Sequence, residues 1–129
     1  MKYTGLLILF FLTLTGCQPD RAKVVRLPEL TLPAPQKISD LDKNYQRYHK
    51  NSTLIQVQGK IVYQSKALGD WAYIEDDTGM ALISLVGVSP NLALPSNKVG
   101  SIITVEGRIS PDDTVINEYL IVPTTYKLG

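Results

Sequence analysis

The spacing of apolar positions changes twice along this 129-residue chain. Residues 6–12, LLILFFL, are continuously apolar and follow one cation, Lys2. Ile38, Leu41, Tyr45 and Tyr48 then recur at helical spacing, with Asp40, Lys43, Arg47 and Lys50 on the remaining positions. That rhythm predicts an amphipathic helix over 39–51. Ser39 followed three residues later by Asp42 predicts a capping box at its start. From Thr53 the period becomes two. In TLIQVQGKIVYQS, Ile55, Val57, Ile61 and Tyr63 fall on one face and Gln56, Gln58, Lys60 and Gln64 on the other.

Four more strands follow from the same alternation and its punctuation: WAYIE (71–75), MALISLVG (80–87), SIITVEGRIS (101–110) and VINEYLIVPTTY (115–126). Gly59 in mid-strand predicts a bulge or bend, and Pro123 an edge position or a strand end. The DDTG turn at 76–79 predicts a glycine with positive φ. SPNLALPSNKVG, residues 89–100, reads as a loop with two prolines. One helix and five strands, the long ones carrying interior glycines, suit closure into a small barrel.

The apolar run at 6–12 is too short to cross a bilayer, which takes about 20 apolar residues. A basic start, a short apolar core and a small residue before a cleavage point make 1–16 a secretory signal. Leu14-Thr15-Gly16-Cys17 resembles the lipobox of bacterial lipoproteins, and Cys17 is the only cysteine. The resemblance implies that the Cys17 sulfur is lipidated, that the signal is cut before it, and that the new amino terminus is acylated. Two or more acyl chains anchor stably where one does not. Gln18 in place of aspartate implies, for a cell with two membranes, the periplasmic face of the outer membrane. A single cysteine also excludes an intramolecular disulfide. Residues 17–37 carry Pro19, Pro28, Pro33 and Pro35 and read as a semi-rigid tether, with 24–27, VVRL, as an alternative edge strand. The domain is then 38–129.

Residues 53–129 resemble the OB-fold, a five-stranded Greek-key barrel. The resemblance rests on the glycine-bent stretch Val57-Gln58-Gly59-Lys60-Ile61, on WAYIEDDTG and on the apolar strand MALISL. It departs from the common pattern between the third and fourth strands, where many members carry a helix. An SH3-like barrel is the competing fold. The resemblance implies a ligand face on the second and third strands, and makes Trp71 and Tyr73, with Lys60 on the polar face of the first strand, the candidate ligand-binding residues. Trp71 and Tyr73 could stack on bases, sugar rings or a partner's side chains, or pack under the helix against Tyr45 or Tyr48.

Charge bears on the choice. Residues 53–129 hold five basic and eight acidic side chains, a net of −3 within a chain of net +1. Phosphate contacts dominate nucleic-acid affinity, so an acidic barrel is expected to take an envelope protein or a glycan, with single-stranded nucleic acid as the alternative. Catalysis, a cofactor and a metal are not expected. No phosphate loop or metal-ligand spacing is present, His49 is the one histidine, and Asp76-Asp77 and Asp112-Asp113 read as turn formers. The expectation is a lipid-anchored binding or adaptor module of the cell envelope.

Overall fold

The alternation from Thr53 onward resolves into five strands: β1 (Ile55–Gln64), β2 (Trp71–Glu75), β3 (Met80–Ser84), β4 (Ile102–Pro111) and β5 (Tyr119–Leu128). Before them lies one helix, α1 (Ile38–Lys50). The structure, a computed structural model, describes residues 27–66, 69–86, 88, 92–115 and 117–129. The signal at 1–16, Cys17 and the tether as far as Arg26, with most of VVRL, lie outside the described residues.

The strands close in the order β1-β2-β3-β5-β4, with β4 returning to β1. All neighbours are antiparallel except β3 and β5, which meet in parallel at Ile83 and Ile121. This is the Greek-key order of the OB-fold and not of the SH3-like alternative. Inward positions of every strand supply the core: Ile55, Val57, Ile61, Ile74, Ile83, Ile103, Val105 and Ile121 are fully buried. Strand β1 serves two neighbours. Residues 55–60 pair with β4 and residues 60–64 with β2. A Cβ at Gly59 would lie 2.7 Å from the Glu75 carbonyl oxygen, so the close crossing at the changeover requires glycine.

Several expectations need correction. The bulge expected at Gly59 lies further along, between Ile61 and Tyr63. Pro123 neither ends β5 nor sits at an edge. It is buried within the strand, opposite Gly107, where the β4–β5 register slips. A residue lacking an N–H fits such a slip, and β5 continues to Leu128. Gly79 does not take a positive φ, because the Asp76 side chain builds that turn instead. No capping box forms at α1: the N-cap is Lys37, with no side-chain cap bond. The first helical N–H groups are satisfied by the β2–β3 turn, with Ile38 N donating to Asp76 Oδ2 at 2.9 Å and Ser39 N to Thr78 Oγ1 at 3.0 Å.

Helix α1 closes the barrel end formed by the β2–β3 and β4–β5 turns. Ile38 and Leu41 enter the core, Tyr45 stacks on Tyr119 at 5.1 Å and 21°, and the Tyr119 hydroxyl donates to Asp42 at 2.7 Å. The connection from β3 to β4 closes the other end without an α-helix among its described residues, burying Leu92 and Leu94. Residues 27–37, expected to belong to the spacer, lie against the barrel. Gln36 forms a parallel bridge with Val57, and Thr31 and Leu32 bond to Glu106.

Candidate functional site: the outer face of β1, β2 and β3

Odd-numbered residues of β2 point outward, which places Trp71, Tyr73 and Glu75 on one side of the sheet. Trp71 and Tyr73 meet edge to face, ring centroids 6.1 Å apart at 76°. The alternative that they pack under α1 is overturned, since the helix aromatics have other partners: Tyr45 takes Tyr119 and Tyr48 donates to Asp40 at 2.8 Å. Trp71 stays 37% exposed.

The bulge in β1 changes the face in a way that strict alternation could not foresee. Tyr63 was expected inside with Ile61. The register slip between Ile61 and Tyr63 turns it outward, where it is 66% exposed and directly opposite Tyr73. On the other side of β2, Tyr73 is opposite Leu82, Trp71 opposite Ser84 and Glu75 opposite Met80. Side chains directly opposite across antiparallel strands have Cβ atoms about 4.5–5.5 Å apart. Tyr63, Tyr73 and Leu82 therefore form one row across three strands, with Trp71 beside it. The only sequence hint of Tyr63's position is the apolar triplet Ile61-Val62-Tyr63, which breaks the alternation.

Lys60, the third candidate, is exposed at the far end of this face and opposite Glu75. A carboxylate thus matches the cation. Off the other end of β1 lies a cleft of about 290 Å³ lined by Gln64, Ser65, Lys66, Ser96, Asn97 and Val99. Gln64 fixes its wall, donating to the Pro95 carbonyl and accepting from Lys98 N at 2.9 Å. The site is a shallow aromatic platform with one cation opposite one carboxylate, and with amide and hydroxyl groups and the Lys66 ammonium at its margin.

No family model matches the chain, and no curated protein matches it. Two solved structures carry the comparison. The S. pombe Stn1-Ten1 complex gives a TM-score of 0.54 at 15% identity, over 77% of this chain and 79% of that one. The hypothetical protein ygiW from E. coli gives 0.50 at 12% identity, over 79% of this chain and 99% of that one. The chain is an OB-fold barrel. At these identities the likeness speaks for the fold alone, and the site rests on this chain's own residues.

Away from this face, the OB barrel carries carboxylates with assigned partners. Burial works to raise the Asp76 carboxyl, but donors from the Thr78 hydroxyl and from the N–H groups of Ile38, Thr78 and Gly79 hold it below the ordinary range. The Thr114 hydroxyl and N–H do the same for Asp112. Both aspartates act as turn formers. His49, at the end of α1, places Nδ1 3.2 Å from the Ile109 carbonyl oxygen. Among the described residues no cluster of three metal-ligating side chains occurs.

Glu106 is the residue that sequence reading missed. It sits on the outer face of β4, opposite Gln56 on β1, yet it is only 1% exposed because residues 27–36 cover it. Its Oε1 accepts from Thr31 N at 2.7 Å, Leu32 N at 2.6 Å and Gln56 Nε2 at 2.9 Å, and its Oε2 from Thr31 Oγ1 at 3.1 Å. Burial pushes the carboxyl up, and these donors outweigh it and bring it below the usual carboxylate range. A lone glutamate in a β-strand, VEG, gives no sequence signal for such a role.

Proposed function

We propose that this protein is a non-catalytic binding module of the cell envelope, held by lipid on Cys17, that takes a weakly charged partner, a glycan or an envelope protein, on the outer face of β1, β2 and β3. The observation that carries the reading is the aromatic row: Tyr63 opposite Tyr73, with Trp71 packed edge-on at 6.1 Å. Charge favours a partner without phosphates. Lys60 is matched by Glu75, and residues 53–129 carry a net −3. Single-strand binders combine stacking residues with a basic groove that tracks the backbone, and this face supplies the aromatics with only Lys60, opposite Glu75, and Lys66 at the margin. The lipobox at 14–17 supports the anchor, with the outer membrane as its destination where there are two membranes.

The test is a titration of the unlipidated chain followed by Trp71 fluorescence and amide NMR. Probes are cell-wall glycan fragments, an envelope extract fractionated by cross-linking, and a short oligothymidine. Expected are shifts at Tyr63, Trp71 and Tyr73 with a glycan or one defined protein, insensitive to moderate salt, and a loss of about tenfold or more in affinity on Trp71→Ala. One stacked ring is worth roughly 1–3 kcal/mol. Salt-reversed binding of oligothymidine at the same residues would overturn the charge argument and favour nucleic acid.

A further inference from the structure

Residues 27–36 form a strap whose attachment is concentrated at a few points. Glu106 takes the backbone N–H groups of Thr31 and Leu32. Gln56 Nε2 donates to the Leu32 carbonyl at 2.9 Å, and the Gln56 backbone carbonyl accepts from Gln36 N at 2.7 Å. Thr125 donates to the Pro28 carbonyl. At its α1 end the Gln36 side chain donates to Asp40 Oδ2 at 2.8 Å and to the Tyr48 hydroxyl at 2.9 Å; apart from these and the Thr31 hydroxyl, the bonds read the strap's backbone. The strap makes a single bridge to the sheet, at Gln36 and Val57. Leu27, Leu30 and Leu32 are half-buried, and none of the strap is fully buried. The ladders that close the barrel, β1 with β4 and β4 with β5, run without it.

We propose that Glu106 and Gln56 form a releasable clip, and that the strap leaves and rejoins the barrel as a unit while the barrel stays folded. Both clip side chains stand on the outer face of the sheet. When the strap lifts, water reaches them, and no polar group is left stranded in the core. Regions with few buried apolar contacts open at lower free energy than core strands. Pro28, Pro33 and Pro35 restrict the free strap to extended conformations, so it returns with little ordering still to do. The clip stands apart from the candidate face, whose side chains are Tyr63 on β1, Trp71 and Tyr73 on β2 and Leu82 on β3. One consequence rests on the proposed lipid anchor: release adds ten residues, up to about 35 Å of extended chain, to the tether. The clip would then set how far the barrel stands from the membrane.

Amide hydrogen exchange on the full chain in detergent micelles tests the clip. Thr31 and Leu32 should exchange more slowly than in a free peptide, yet at least about 100-fold faster than Val57, Val105 and Ile121. Their rates should change little with low urea while the core amides accelerate, because local opening exposes little surface. Glu106→Gln removes the charge and turns one acceptor into a donor. It should speed Thr31 and Leu32 about tenfold or more and leave the core amides unchanged. Strap and core amides that exchange at one common rate, with one urea dependence, would show the strap to be an integral part of the barrel and overturn the proposal. Free-peptide rates for Thr31 and Leu32 in the unaltered protein would overturn it too. The urea series needs no variant, so misfolding of Glu106→Gln cannot hide the answer. Exchange does not depend on acylation, so the clip and the anchor fail or stand separately.

Discussion

Asp76 shows how much one side chain can organise. Its Oδ1 accepts from Thr78 N at 2.7 Å, Thr78 Oγ1 at 2.6 Å and Gly79 N at 3.0 Å, while Oδ2 takes Ile38 N at 2.9 Å. It thus shapes the β2–β3 turn and caps a helix 38 residues away in sequence. Replacing a cap with alanine costs about 0.5–2 kcal/mol, so Asp76→Ala should lower Tm by several degrees at neutral pH. The sign with pH follows from its depressed carboxyl. A carboxylate with a lowered folded-state pKa contributes stability above its unfolded pKa and loses it as pH falls through the folded value. The Tm gap between the unaltered protein and Asp76→Ala should therefore narrow toward pH 3 in paired thermal melts, and an unchanged gap would remove the charge from the account. DDTG was legible as a turn, and its acids as turn formers. The reach of Asp76 to Ile38 was not, because the two residues meet only once the barrel has closed.

Helix α1 was legible as an amphipathic segment, and the residues of its apolar stripe set how it docks. Leu41 is fully buried, whereas Tyr45 stacks on Tyr119 from the rim and donates to Glu118 at 2.9 Å. Leu-to-Ala changes in cores cost about 2–5 kcal/mol, and an aromatic pair adds about 0.5–1.5 kcal/mol beyond its buried area. In urea melts Leu41→Ala should therefore destabilise the protein more than Tyr45→Leu. Tyr119→Phe should fall between them, because a buried hydroxyl bonded to a carboxylate contributes about 1.5–3 kcal/mol. Burial and the bond to Asp42 also push the Tyr119 phenol well above its ordinary range, so Tyr119 should stay un-ionised in an alkaline absorbance titration after exposed tyrosines have titrated. The strands were legible from alternation, and the misplacements share one cause. A bulge is a tertiary event: Ile61-Val62-Tyr63 keeps reading as ordinary strand and Pro123 reads as an edge or an end, and only the partner strand decides where one residue is left over.

For the whole molecule, the distribution of charge separates the proposed anchor from mere surface attraction. The chain's net +1 combines a barrel of −3 with a basic excess before it, in Lys2 of the signal and in Arg21, Lys23, Arg26, Lys37, Lys43, Arg47 and Lys50 against Asp20, Glu29, Asp40 and Asp42. The end that leads to Cys17 is therefore the end that anionic headgroups attract, by about 1 kcal/mol for each cation near the surface, while the acidic barrel is repelled toward solvent. Both tendencies orient the aromatic face's domain away from the lipid. They differ from acyl insertion in their salt response, because at 1 M salt the screening length shrinks to about 3 Å whereas buried methylenes are unaffected. Membranes from cells making the unaltered protein should retain it through a 1 M salt wash. The Cys17→Ala form should remain unprocessed or be released, and its residual binding to anionic vesicles should vanish in the same wash. Equal retention of both forms at high salt, with the signal cut equally from both, would mean that something other than lipid on Cys17 holds the protein. The barrel's acidity would then act only to keep it clear of the surface, and the position of the candidate face would have to be explained by whatever partner does the holding.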